Sequence, residues 1–457
     1  MTADIRILSH SKGKYVRIFS LTIFSFTILF SQDELIHIRS IDSDTVSQLV
    51  NNISQDISEL SNRYELRSFS VNDSVSVYRV VKEEKLADSL LFNSDSEIQN
   101  SILEQIINPY RTIPIGDMYN RTGKDLVARY YFINKPPQYK FGLLGKDLIG
   151  ALIEFVPTFE SHFSGIVGMN RVKNKWILNG ESNLHLENYF KSADNIDFFW
   201  KRKDSISQVI RMGFSIPHPF GWNTGINIKY HHEVFAGMYT MMENRSMVNS
   251  FVPIFNNLGI GFVKGIISPT DKGVMNGFQK TNYQAFTLNT RMDDTNNRFL
   301  PTKGGIIDIG IDGGLAEGLR FIGSSYKISK FYSQHKLLFK LKWVGKGMYY
   351  HKSAVPKSRY ERFGGTSTIR GYDELVLSAT QFHVISAEIG YVPFSKMQLT
   401  SFIDIGSDRV NILDESLTGY GIGLSQINED SVLKIEYALS STTMSRGKLH
   451  IKLISRL

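Results

Sequence analysis

The residues best suited to ionic chemistry lie in one irregular stretch, Arg362-Phe-Gly-Gly-Thr-Ser-Thr-Ile-Arg-Gly-Tyr-Asp-Glu374. Its centre is Ile369-Arg370-Gly371-Tyr372. Arginine carries a permanent, planar, five-donor fork, and a following glycine lets the chain turn tightly behind it. Gly364 and Gly365 give the same stretch a second sharp turn. Two lone acids follow in alternating, strand-patterned segments: Glu388 and Asp404. Ser386, Glu388 and Gly390 share one face of their segment. Thr400, Phe402, Asp404 and Gly406 share one face of theirs. Arg370, Glu388 and Asp404 read as one unit, a loop arginine held against two carboxylates inside a β-barrel. The competing reading is a surface turn and two unrelated acids.

Other chemistry finds little to work with. Cysteine is absent, so disulfides, thiol catalysis and cysteine-zinc sites are excluded. No Gly-x-Ser-x-Gly elbow offers a hydrolase nucleophile. His231-His232-Glu233 could suggest a metal, but neighbouring residues of a strand face opposite sides, which favours a polar rim. Gly421-Ile-Gly423 lacks the strand–helix setting of a nucleotide loop. The sequence therefore predicts no enzyme, no cofactor and no metal. The formal charge of +8 is scattered, with no dense basic block suited to nucleic acid.

The elements that would position the arginine and acids are strands. From about residue 161 the chain falls into short alternating segments. Ile210, Met212 and Phe214 point one way, as do Ile226, Ile228 and Tyr230. Ile307, Ile309 and Ile311 repeat the pattern, as do Leu337, Phe339, Leu341 and Trp343, and finally Leu449, Ile451 and Leu453. About 16 such strands can be counted. No apolar run reaches 18 residues; the mean hydropathy of −0.16 looks soluble, which does not exclude a barrel in which only alternate residues meet lipid. The 30 Phe and 21 Tyr would supply aromatic girdles, and would equally suit any β-rich protein. The glycines Gly419, Gly421 and Gly423 share one face and would leave room for a loop. The predicted fold is an all-β, 16-stranded antiparallel transmembrane β-barrel over 161–457, with a smaller α+β N-terminal domain.

Residues 1–32 read as a secretory signal: Lys12, Lys14 and Arg17 precede an uncharged, mostly apolar run from Ile18 to Phe30. Residues 33–160 read as soluble α+β. A strand is expected at Leu35–Ile41, a helix through Val46, Leu49, Val50, Ile53, Ile57 and Leu60, and a hairpin joining Leu66–Val71 to Val75–Val81. A second helix would carry Ile98, Ile102, Leu103 and Ile106, with Ser94 and Glu97 forming a capping box. Asn134-Lys-Pro-Pro137 would mark a boundary.

The Ile369-Arg370-Gly371-Tyr372 motif resembles the (V/I)RG(F/Y) loop of the bacterial surface-antigen superfamily of outer-membrane barrels. That family includes the barrel-assembly insertase and the two-partner-secretion transporters. Gly165-Ile-Val-Gly168 with Leu184-His-Leu-Glu-Asn188 resembles its first hairpin. Asp293-Asp294 with Pro301-Thr-Lys-Gly-Gly305 resembles its acidic turn. The resemblance covers roughly 160–457. It implies that the loop arginine packs against Glu388 and Asp404, and that 33–160 holds one or two polypeptide-transport-associated (POTRA) modules. It also implies an outer-membrane location with a periplasmic N-terminal domain. The expected partners are outer-membrane lipid, client polypeptides, and periplasmic chaperones or accessory lipoproteins. The activity implied is insertion, assembly or translocation of polypeptides; a passive channel or binding barrel is the alternative. The terminal segment 447–457 departs from the family in ending on Leu457, where Phe or Trp is usual. The first strand, around Ser164–Met169, is expected to be short and weakly paired to the last.

Overall fold

The structure is a computed structural model. It describes residues 35–38, 62–72, 75–84, 86–94, 98–143, 149–172, 175–204, 206–252, 255–297, 301–394, 396–409, 416–428, 430–441 and 447–457. The expected signal segment and the expected helix from Val46 to Leu60 lie outside the described residues. The chain divides between Lys85 and Leu86 into two units.

The first unit contains an antiparallel sheet of β1 (Leu35–Ile38), β2 (Asn62–Asn72) and β3 (Val75–Glu84), in the order β1-β3-β2. The two strands of the expected hairpin pair, with Asn72 opposite Val75.

The second unit begins with a small α/β subdomain: β4 (Ser89–Ser94), α1 (Asn100–Ile107), α2 (Asp117–Arg129), β5 (Gln138–Leu143) and β6 (Ile149–Phe155). β6 lies in the centre, parallel to β4 and antiparallel to β5. A parallel pair needs a long crossover, and the two helices are part of it. Ile98, Ile102 and Ile106 recur at helical spacing, so one face buries itself among Tyr110, Tyr119, Phe132 and Ile153. Two sequence expectations are corrected here. Ser94 ends β4, and α1 starts after Gln99 without a side-chain cap, so no capping box opens it. Pro136 and Pro137 do not bound a domain. They lead from α2 into β5, an edge strand that tolerates proline at its start.

The remaining chain closes into an antiparallel barrel. Its strands are β7 (His162–Val172), β8 (Lys175–Glu187), β9 (Asn195–Asp204), β10 (Ser207–Ile216), β11 (Gly225–Phe235), β12 (Tyr239–Val252), β13 (Asn256–Pro269) and β14 (Thr281–Asp293). They continue with β15 (Gly304–Ala316), β16 (Leu319–Gln334) and β17 (Leu337–Tyr350). A long excursion containing the short pair β18 (Glu361–Phe363) and β19 (Leu377–Ala379) then precedes β20 (Gln381–Phe394). β21 (Met397–Ser407), β22 (Leu417–Ile427), β23 (Ser431–Ser440) and β24 (Lys448–Arg456) complete 16 barrel strands among the described residues.

The alternation seen in the sequence separates the two faces. Leu341, Trp343, Leu449 and Ile451 stand exposed on the outer wall. Lys340, Glu388, Asp404 and Glu436 turn inward, where they pair with one another or with the excursion. Among the described residues, no helix is long and apolar enough to cross a membrane.

Closure is uneven. β23 and β24 share eight residue pairs, from Ser431↔Ser455 to Ala438↔Lys448. β24 and β7 share four, from Leu453↔Gly165 to Arg456↔His162. The first strand is longer than expected, at 11 residues. The weakness lies in its register with β24.

The subdomain docks onto the barrel turns. The Gln99 amide donates to the Lys191 carbonyl at 2.8 Å, in the β8–β9 turn. Arg129 Nη2 donates to Asn223 Oδ1 at 2.9 Å, in the β10–β11 turn. His218 Nδ1 lies 2.7 Å from the Trp222 carbonyl, which can only accept. Nδ1 therefore carries the proton in the neutral ring, and Nε2 accepts from Tyr130 Oη at 2.6 Å. Burial pushes the His218 pKa down to about 4; the bond to Trp222 opposes that fall and Arg129 adds to it. An unfolded histidine titrates near 6.5, so the docked state binds fewer protons. Docking is expected to hold in full above that value and to weaken as the pH falls toward 4. Amide exchange over residues 217–224, corrected for intrinsic rates, should lose protection between pH 7 and pH 5. His218→Gln should remove most of that pH dependence.

Candidate lumen site

The excursion between β17 and β20 folds back into the barrel and is shaped by its own sequence. Gly364, Gly365 and Gly371 adopt φ of +112°, +86° and +90°, a region that side chains disfavour. The Gly364 amide donates to Thr368 Oγ1 at 2.7 Å, and the Gly365 amide to the Ile369 carbonyl at 2.9 Å. Phe363 stacks on Phe382 with ring centroids 4.6 Å apart. Ile369 is fully buried, and Tyr372 lies beside it in the same apolar cluster.

These turns deliver Arg370 to the wall formed by β20, β21 and β23. Its Nε donates to Asp404 Oδ2 at 2.8 Å and its Nη2 to Asp404 Oδ1 at 2.7 Å. The Arg370 backbone amide also donates to Asp404 Oδ2, at 2.9 Å. Nη1 lies 2.9 Å from Glu388 Oε1 and 3.0 Å from Glu436 Oε1. The guanidinium carbon sits 3.5 Å from the centroid of the Phe402 ring. Two parallel bonds to one carboxylate make the fork–fork geometry that only arginine supplies. The Asp404 side chain is fully buried, and that of Arg370 is 4% exposed.

The structure thus brings Arg370, Glu388 and Asp404 together. It adds residues that the sequence reading did not single out. Glu436 is the third carboxylate. Lys340 Nζ lies 3.2 Å from Glu388, and Lys434 Nζ lies 3.0 Å from Glu436. Three cations, Arg370, Lys340 and Lys434, therefore pair with three carboxylates. The signal for Glu436 was present, since Lys434 and Glu436 share the polar face of an alternating segment. Neither had a partner visible along the chain.

Of the three glycines expected to make room for the loop, Gly419 does so. A Cβ there would overlap the Arg370 carbonyl. At Gly421 the obstruction would be the Phe402 ring and the Tyr437 backbone, and at Gly423 the nearest atom is Glu436 Cγ, so these two serve the wall.

The excursion also reaches the opposite wall. Arg362 pairs with Glu233 of β11, and its guanidinium carbon lies 4.2 Å from the Phe235 ring centroid. Arg359 lies 3.7 Å from the Tyr283 ring centroid. Glu233 is thus an ion-pair partner; His231 Nε2 lies 3.5 Å from it and His232 stacks on Tyr230. Among the described residues no group of three candidate ligands could hold a metal.

The fold is shared with solved barrels. CdiB from Escherichia coli matches with a TM-score of 0.59 at 13% identity, over 91% of this chain and 85% of that one. CdiB from Acinetobacter baumannii matches with a TM-score of 0.58 at 12% identity, over 91% and 82%. BamA from Haemophilus ducreyi lacking POTRA domains 1–3 matches with a TM-score of 0.53 at 11% identity, over 92% and 94%. At these identities the likeness is one of fold. No family model matches the sequence, and no curated protein does.

Arg370→Ala would take from the fully buried Asp404 carboxylate the fork that neutralises it. Loss of one partner of a buried ion pair costs about 3–5 kcal/mol. The heat-modifiable gel shift of the folded barrel should therefore occur at a clearly lower temperature in Arg370→Ala. Arg370→Lys should recover only part of the loss, because a point charge replaces a fork.

Proposed function

We propose that this chain is an outer-membrane protein that assists the insertion, assembly or translocation of polypeptides. The seam between β24 and β7 carries the proposal. A barrel meant only to hold its shape gains from full pairing at every strand. Here one interface has four residue pairs beside a neighbour with eight. Unpaired strand edge is a template for another chain, so a weak seam offers a lateral route between lumen, membrane and client.

Three further features support the reading. The exposed apolar residues of the outer wall suit a lipid surroundings, while the charged face lines the lumen. The lumen is crossed by an excursion tied to both walls, an arrangement poorly suited to a passive pore. The fold shared with BamA and CdiB agrees with the family to which the Ile369-Arg370-Gly371-Tyr372 motif is similar. In this reading the N-terminal sheets act in the periplasm as POTRA-like receivers of clients, by edge-strand addition. Periplasmic chaperones or accessory lipoproteins would deliver those clients.

Depletion of the protein, followed by proteomics of the outer membrane and the medium, tests the proposal. Loss of particular barrels or secreted proteins is the expected result. An unchanged protein profile with altered uptake of small solutes would replace it with a passive channel.

A further inference from the structure

The backbone pairing of the seam is confined to one end. It runs from Leu453↔Gly165 to Arg456↔His162. β24 begins at Lys448, and β7 continues to Val172. Among the described residues, the end of the seam nearest the excursion therefore has no register between these two strands. Two consecutive residues of the excursion lie there. Asp373 Oδ1 is 2.7 Å from Lys448 Nζ, at the start of β24. Glu374 Oε2 is 3.0 Å from Lys201 Nζ on β9, and Lys201 Nζ is 3.0 Å from Glu181 on β8. In the barrel order β24-β7-β8-β9, these contacts fall on opposite sides of the seam.

We propose that Asp373 and Glu374 form an ionic strap across the seam, which holds its unpaired end closed until the excursion shifts or a competing charge displaces them.

The strap is built from a rigid base. Arg370 is locked to Asp404 of β21, and the Gly371 backbone lies against Leu439 and Ser440 of β23. Tyr372 Oη is 3.3 Å from Ser441 Oγ. The excursion thus crosses from β21 past β23 to β24 before it reaches β9. Glu374 is fixed within the excursion itself. Its Oε1 accepts from the Thr366 amide at 2.8 Å and from the Thr366 hydroxyl at 2.7 Å. A side chain at Gly365 would collide with this carboxylate. Burial by itself would raise the Glu374 pKa, but Lys201 and Thr366 outweigh it and hold the carboxyl below its usual range. The carboxylate is therefore charged and already aimed at Lys201. If β24 and β7 separate, β7, β8 and β9 move as one sheet away from β24. One of the two ion pairs must then break, or the excursion must leave its seat.

The inference rests on the proposed function only for the purpose of the seam. Its test needs no client. In the purified full chain, backbone amide exchange is followed at 162–165 and 453–456 in the wild type and in Asp373→Asn/Glu374→Gln. Two partly screened ion pairs together shift an opening equilibrium about tenfold, so the seam amides should exchange about tenfold faster. Exchange at the β20–β21 interface, pinned by Arg370, should stay at the wild-type rate. Should the double neutral variant misfold, Lys201→Gln with Lys448→Gln removes the same pairs from the wall side. Unchanged seam exchange in the folded neutral variants, or equal acceleration around the whole barrel, would overturn the strap. Neither result would bear on the depletion test, and an unchanged proteome would leave the strap standing.

Discussion

An arginine side chain enclosed by protein must be neutralised where it sits, because the cost of burying an unpaired charge exceeds what a loop contact can return. For Arg370 that requirement is met by three carboxylates. Asp404 takes the fork of Arg370, and Glu388 and Glu436 take the remaining nitrogen. The three acids in turn would repel one another without Lys340 and Lys434. The six groups come from the excursion and from β17, β20, β21 and β23, so the cluster forms only when the loop and four strands are all in register. Gly419 then has to lack a side chain, since the Arg370 carbonyl occupies that space. The position of the loop is a consequence of charge balance, with turn glycines and the Phe363–Phe382 stack setting the approach.

How much of this the sequence could disclose depended on whether the information was local. Alternation is local, and it separated the outer residues Leu341, Trp343 and Ile451 from the inner residues Lys340, Glu388 and Asp404. Turn chemistry is local as well, so the glycines of the excursion and the Asn72 hairpin were legible. Pairing across the lumen is not local. Glu436 and Lys434 were on the right face, yet nothing along the chain tied them to Arg370. Glu233 was noticed only for its histidine neighbours, while its partner Arg362 lies far away in the excursion. The misread capping box shows the opposite failure. Ser94 and Glu97 have the right spacing, but Ser94 is held by β4, and tertiary pairing overrides the local preference. The paired prolines also had two meanings, and only the edge position of β5 selected one.

The barrel holds its two halves by different means. On the C-terminal side, β20 to β23 are fixed from inside by the Arg370 cluster. On the N-terminal side, the β8–β9 and β10–β11 turns are gripped from outside by the α/β subdomain, through Gln99, Arg129 and Tyr130. The weakly paired seam lies between these two rigid blocks. Backbone pairing closes one end of it, and side-chain charge closes the other. A rigid block on each side makes separation of β24 and β7 the motion that disturbs the fewest buried contacts. The subdomain grips the turn that joins β8 to β9, and Lys201 of β9 is the residue that meets Glu374. The excursion and the subdomain therefore both contact the β8–β9 hairpin, although they lie at opposite ends of the barrel.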